Sequence, residues 1–423
     1  MLAREVELPM GSTTAWMQPL VSTGNPERDW ATSWLRGSQP SFETRLNGTV
    51  RTVDLFCGTG GLSLGTRMAI EAVGRRHVAV LAADLDVDAL DVHDFNLGPR
   101  RTFRGSVRDL FDPTLLDAAP IARDVPPRDV IAADWVRELG QTDIVIGGPP
   151  CQGHSNLNNR TRRNDARNEL YRWMALAAHG LQAKIVVIEN VTSVRADAGD
   201  VVRRTVALLQ ALDYTVTFDD VVAADRVGVA QTRRRHFLVA VRNGVLDPSW
   251  RVAATGMHGS APFAMTALDA IGDLQDAPAT SDYDRPATLS KENRDRVSYL
   301  HDAGEHDLPD ERRPECHRDG NHNYGAVYGR MFEDRPAPTL STGFLSPGRG
   351  RYVHPTRPRA LTPHEGARLQ GFPDTFRFIG SSGKTPSRTV VARLVGDAVP
   401  PPMGFHVVLG ALAMLRHDAF GDR

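Results

Sequence analysis

Val53-Asp54-Leu55-Phe56-Cys57-Gly58-Thr59-Gly60-Gly61-Leu62 reads as the end of an apolar strand, a glycine turn and the start of a helix. Val53–Phe56 is the expected strand and Leu62–Val73 the expected helix. Glycines between them let the backbone approach a ligand closely and present helix N-terminal amides to it. A dinucleotide fingerprint needs a further glycine where Ser63 stands, which disfavours a nicotinamide site. One strand later, Val78–Ala83 ends in Asp84-Leu85-Asp86, and an acid there is placed to accept hydrogen bonds from ribose hydroxyls.

The same alternation continues outward. Asp143–Ile146, Lys184–Glu189 and Arg235–Val241 read as strands, and Asn168–His179 and Val201–Leu212 as helices. Strands alternating with helices predict an α/β fold with a doubly wound, mostly parallel sheet over residues 49–242. Residues 1–48 show no sustained period and read as an irregular extension. From 243 to 386 the chain is rich in Pro, Gly, Asp and His, as in a second, smaller, loop-rich domain. Residues 387–423 return to helical patterning and are expected to rejoin the first domain.

At 423 residues the chain is long enough for two or three domains. Hydrophobic residues make up 41% and charged residues 24%, an ordinary globular balance. No apolar run is long enough for a bilayer and no signal-peptide pattern opens the chain, so a cytoplasmic setting is expected. Cys57, Cys151 and Cys316 are far apart, which excludes a disulfide framework or a paired-cysteine metal site. Cys316, His317, His322 and His354 lack the spacing of a zinc site, and no metal is expected. Net charge is −1, so any polyanion partner must be met by local arginines. These cluster at Arg160–Arg167, at Arg233-Arg234-Arg235 and along Arg349–Arg359, while Lys184, Lys291 and Lys384 are the only lysines.

Gly148-Pro149-Pro150-Cys151-Gln152-Gly153-His154-Ser155 places a thiol just past the strand Asp143–Ile146, in a turn that two prolines stiffen. A free cysteine in an apolar run is packing; one in a Pro/Gly/polar turn is a candidate nucleophile. This stretch resembles the G-G-P-P-C-Q-x-F-S loop of the DNA (cytosine-5) methyltransferases, with His154 for the aromatic. Asp54–Leu62 resembles that family's S-adenosylmethionine loop, Glu189-Asn190-Val191 its E-N-V, and Gln231-Thr232-Arg233-Arg234-Arg235 its Q-x-R-x-R. Asp165-x-Arg167-Asn168 resembles the far end of its catalytic loop. Arg359–Pro373 is similar to its R-x-L-T-x-R-E-x-A-R-L-Q-G-F-P block, with His364 for an arginine. Gly396-Asp397-Ala398-Val399-Pro400-Pro401 is similar to its G-N-A-V-P-P, with Asp397 for asparagine.

The resemblance runs from about Val53 to Pro402 in the family's linear order. It implies a Rossmann-like class I methyltransferase fold, S-adenosylmethionine as cofactor and double-stranded DNA as partner. Cys151 would attack C6 of a flipped-out cytosine, with Gln152, Glu189, Arg233 and Arg235 completing the catalytic set. The cofactor would meet Phe56, Gly58, Gly60, Gly61, Asp84, Leu85, Pro150, Asp397 and Ala398. DNA would meet Ser155, Arg163, Arg167 and Gln231. Ser106 stands where the family carries an adenine-contacting acid, leaving Asp134 or the backbone for that contact. The resemblance further implies a monomer, a restriction-modification or phage setting, and a possible cognate endonuclease. Methylation of tRNA by the same chemistry and a non-catalytic DNA-binding homologue are the alternatives; retention of Cys151, Glu189 and the arginines argues against the second.

Overall fold

The apolar runs Ile144–Gly147 and Ile185–Asn190 are buried at every position, the pattern of central strands covered on both faces. The computed structural model describes residues 2–7, 13–18, 24–37, 46–116, 125–151, 165–259, 264–318 and 326–420. A hairpin of β1 (Leu2–Glu7) and β2 (Thr13–Gln18) precedes α1 (Pro26–Leu35). The main sheet comprises β3 (Thr49–Leu55), β4 (Arg76–Asp84), β5 (Arg101–Arg104), β6 (Ile144–Gly147), β7 (Ile185–Asn190), β8 (Tyr214–Ala223) and β9 (Arg234–Arg242). Its order is β5-β4-β3-β6-β7-β9-β8, with β9 antiparallel to both neighbours and the other pairs parallel. β4 and β6 flank β3 on opposite sides. The crossovers therefore diverge at β3, and a crevice opens beyond the carboxyl ends of β3 and β6, where Leu55 pairs with Gly147.

Side-chain alternation along the strands sorts the core into two layers. Val53, Leu55, Val145, Val186 and Ile188 face α5 (Leu170–Gly180) and α6 (Val201–Ala211). Ile144, Ile146, Ile185 and Val187 face α2 (Gly61–Ala72) and α12 (Pro401–Leu412), so the C-terminal helix completes the second layer. α2 and α12 touch through backbone. A Cβ on Gly65 would lie 2.3 Å from the Pro401 carbonyl oxygen, so no side chain fits there. Between these elements lie α3 (Val87–Leu97), α4 (Asp134–Arg137) and α7 (Trp250–Thr255).

A third apolar cluster joins α1 to α8 (Ala267–Ile271), α10 (Pro363–Leu369) and α11 (Arg388–Asp397), through Trp34, Ala270, Phe344, Ala367, Phe372 and Val395. This corrects the irregular reading of residues 1–48. Trp34 Nε1 donates to the Gly371 carbonyl at 3.1 Å, Asp374 N donates to the Leu35 carbonyl at 2.8 Å, and Arg36 pairs with Asp273 at 3.3 Å. A ten-residue helix is marginal alone, and α1 is held by partners 337 positions away in sequence. α9 (Lys291–Asp302) carries a small satellite cluster of Val297, Leu300, Leu308 and Val353.

Beneath the third cluster lies a buried charge network. His364 is 4% exposed, with Nδ1 2.9 Å from Asp284 and Nε2 2.6 Å from Asp374. Arg368 bridges Asp374 and Asp273. Burial opposes charge on His364, but Asp374 and Asp284 outweigh it and raise its pKa above the ordinary 6.5. A raised folded pKa gives stability that is complete below the unfolded value and is lost as pH rises through the folded value. His364→Gln is expected to destabilise the fold by about 3 kcal/mol at pH 6, since it removes the buried cation that Asp284 and Asp374 share and leaves Asp374 to Arg368. The variant's stability should fall less than wild type's as pH rises above 6.5; urea titrations across that range check it. Parallel pH profiles would show that His364 carries no charge.

Candidate active site

A cavity of about 350 Å³ fills the crevice at the switch point. Its β3 side is built by the glycine turn. Phe56 sits at φ +57°, a conformation that non-glycine residues adopt at a cost of about 1–3 kcal/mol. It turns the chain so that Gly58 N donates to Asp84 Oδ2 at 2.8 Å, while Asp84 Oδ1 accepts from Asp86 N at 2.8 Å. No atom lies within 4 Å of where a Gly58 Cβ would stand, so that backbone is open to a ligand. Gly61 is fixed by packing instead: its Cβ would lie 2.1 Å from the Val399 carbonyl. Thr59 Oγ1, on the cavity wall, is buried without a hydrogen-bond partner among the described residues. Asp54 lies below the turn, takes the Ser63 hydroxyl at 2.5 Å and has one carboxylate oxygen without a partner.

The opposite end gathers the candidate catalytic residues. β6 and β7 run in parallel register, Gly147 beside Ile188, so Cys151 and Glu189 leave neighbouring strands at the same edge. Asn190 Nδ2 donates to the Pro149 carbonyl at 3.1 Å and fastens the proline turn to β7. Gly148 keeps the space between them free, since its Cβ would come within 3.2 Å of Glu189 Oε2. Glu189 Oε1 pairs with Arg235 Nε at 3.0 Å. Burial raises the Glu189 pKa, against the pull of Arg235 and Arg233. Burial and then Glu189 raise the Cys151 pKa, and Arg235 and Arg233 offset only part of this. The arginines favour thiolate, but burial and Glu189 outweigh them in the free protein. Arg233 is 2% exposed, its pKa is pushed down to about 9 by burial, and its Nε has no partner among the described residues. A buried cation with an unused donor on a cavity wall is a group waiting for an acceptor.

A cysteine, a glutamate and two arginines thus converge beside a glycine-turn cavity. Residues 50–410 match the C-5 cytosine-specific DNA methylase family. The chain belongs to that family. It is 34% identical over 418 residues to the type II methyltransferase M1.BsuMI of Bacillus subtilis, spanning 97% of this chain and 93% of the relative. It is 28% identical to the type II methylase M.HgiDII of Herpetosiphon aurantiacus, spanning 83% and 92%. In fold it is similar to the S. pombe Dnmt2 methyltransferase, with TM-score 0.53 and 14% identity over 86% of this chain and 98% of the other. The protein is therefore an enzyme that methylates DNA at cytosine C5, on a Rossmann-like scaffold.

In this cytosine methylase, Phe56, Gly58, Gly61, Asp84, Pro150, Cys151, Glu189, Arg233, Arg235, Asp397 and Ala398 all line the one cavity. Three expected residues stand elsewhere. Gly60 turns away from it, with His93 and Leu97 against its Cβ position. Leu85 is 69% exposed and does not line it. Gln231, expected to meet DNA, is fully buried: Nε2 donates to Leu369 O and Gln370 Oε1, and Oε1 accepts from Leu340 N. The run Gln231–Arg235 approaches α10 before entering β9, so its first side chain joins core elements while Arg233 and Arg235 reach the cavity. Arg167 is exposed and paired with Asp165 at 2.7 Å. Gln152, Ser155 and Arg163 lie outside the described residues.

Sequence reasoning missed Asn190 as the fastener of the proline turn and Arg393 as a wall residue. Arg393 on α11 contacts Asp86 and lies 3.8 Å from Asp88, both at the start of α3. Its i+4 relation to Asp397 was the available signal. Among the described residues no group of three or more His, Cys, Asp or Glu is arranged to hold a metal, and no helix is long and apolar enough to cross a membrane.

Proposed function

We propose that this enzyme methylates a cytosine flipped out of duplex DNA, through a transient bond between Cys151 and C6, using S-adenosylmethionine. The observation that carries it is the single cavity with Cys151, Glu189, Arg233 and Arg235 at one end and the glycine turn with Asp84 at the other. Its volume falls in the range of about 300–1,000 Å³ usual for small-molecule sites. The open Gly58 backbone and the unpartnered Thr59 hydroxyl supply polar contacts for the cofactor, and Asp84 supplies a carboxylate. When bound, S-adenosylmethionine supplies an activated methyl group on a sulfonium.

Cytosine C5 is a poor nucleophile, and Cys151 makes it a better one. Sγ loses its proton and adds to C6, which places the electron pair of the former C5–C6 double bond at C5 for methylation. Glu189 holds N3 and the exocyclic amine; its raised pKa suits it to donate a proton toward N3 as negative charge develops there. Arg235 orients Glu189, and Arg233 offers its unused Nε–H to the base or its phosphate. Loss of the C5 proton and cleavage of the C6–S bond restore the double bond and free Cys151. Extrusion of the base costs on the order of a few kcal/mol, which contacts from the 150–167 loop and local arginines offset.

Segment 243–333, which includes α9, is the proposed recognition region. The type II names of M1.BsuMI and M.HgiDII support a modification role beside a cognate endonuclease. Bisulfite sequencing of DNA from a host expressing the chain is expected to show one short motif fully methylated; unmethylated DNA would refute the reading. Exchange of segment 243–333 for that of a relative with different specificity should carry the relative's motif with it. A chimera that keeps the recipient motif would place recognition elsewhere.

A further inference from the structure

Five acids line the cavity, Asp54, Asp84, Asp86, Glu189 and Asp397, and the first four are engaged. Asp84 accepts from Gly58 N and Asp86 N, and Asp86 caps α3 and holds Arg393. Asp397 differs. It is the last residue of α11, it lines the cavity, and no ion pair or hydrogen bond engages its side chain among the described residues. Arg393, one turn earlier on the same helix, is the natural i,i+4 partner, but Asp86 and Asp88 draw it toward α3. Glu189 is taken by Arg235, and Asp54 accepts the Ser63 hydroxyl.

Asp397 also stands at the reactive end. Its charge acts on the Cys151 thiol and on Arg233; burial raises its own pKa, against the pull of Arg393, Arg233 and Arg235. A methyl donor must bring its sulfur close to the base held over Cys151. A charged donor bound in this cavity would present that centre to the field of Asp397.

We infer that Asp397 is a cofactor-discriminating residue, whose unpaired carboxylate favours the positively charged sulfonium donor over the neutral thioether left after transfer. The inference rests on the cofactor reading above. Asparagine, which the resembling motif carries at this place, can donate and accept hydrogen bonds but presents no net charge; aspartate accepts only and is anionic. The consequence is relief from product inhibition: the carboxylate gains least from the ligand that must leave. Asp397 is exposed at the cavity mouth, so solvent screens its charge and the net effect is modest.

Calorimetry on the full chain with S-adenosylmethionine, S-adenosylhomocysteine and sinefungin, whose amine mimics the positive centre, decides the matter without turnover. Asp397→Asn is expected to lower the ratio of S-adenosylmethionine to S-adenosylhomocysteine affinity by about tenfold, or about 1.4 kcal/mol. Sinefungin affinity should fall with that of the charged donor, and Asp397→Glu should keep most of the preference. An unchanged ratio in Asp397→Asn, with both ligands still bound, would overturn this inference alone. Failure of wild type to bind any of the three would overturn the cofactor reading itself.

Discussion

Cys151→Ser is expected to reduce methyl transfer by more than about a thousandfold, the order seen when a covalent nucleophile is removed. A serine hydroxyl ionises far less readily and is a weaker nucleophile toward C6, while the turn that carries it is fixed independently. Asn190 holds the Pro149 carbonyl and Gly147 stays in register with β7, so the fold and ligand affinities should be retained. Wild type should form an irreversible adduct with a duplex carrying 5-fluorocytosine at the target, because fluorine cannot leave as a cation. Denaturing gels read the adduct, and Cys151→Ser should form none. The free-protein thiol is held protonated by burial and Glu189, so single-turnover rates should rise with pH above 7 until the raised thiol pKa is passed. Robust transfer by Cys151→Ser, or no trapped adduct with wild type, would sink the covalent route.

Glu189→Gln is expected to slow the chemical step by about a hundred- to ten-thousandfold, the usual range for a positioned proton donor or acceptor. Glutamine keeps the shape and can still accept one hydrogen bond from the cytosine amine. It cannot carry a proton toward N3, and it loses the charge that pairs with Arg235 at 3.0 Å. S-adenosylmethionine affinity should change little, since the glycine turn and Asp84 form the other end of the cavity. Single-turnover rates with saturating DNA separate these effects. An unchanged rate would leave Glu189 a structural strand-end residue that anchors Arg235.

The catalytic half of the fold was readable because its signals are local. The strands ending at Leu55, Gly147 and Asn190 are short apolar runs followed by glycine or proline, and each delivers its chemistry within a few residues of its end. Elements whose stability comes from distant partners were not readable in this way. α1 lacks a strong period of its own and is held by Gly371 and Asp374; β8 is an edge strand in which Asp219 and Asp220 interrupt the apolar pattern. Gln231 shows the same limit at one residue. Its motif placed it beside the reactive arginines, yet only the approach of Leu340, Leu369 and Gln370 decides that its amide faces the core.

The sequence by itself determined the central strands ending at Leu55, Gly147 and Asn190, the candidate thiol and carboxylate at their ends, and the glycine turn. Each depends on backbone geometry that a few adjacent residues dictate. Tertiary structure alone decided the charge environment of the site. The Cys151 thiol is held up because burial and Glu189 outweigh two arginines. Arg393 is drawn to α3, and among the described residues no ion pair or hydrogen bond engages Asp397 at the cavity wall. Electrostatic energies depend on separation and dielectric in three dimensions, and neither quantity is written in the spacing of residues along the chain.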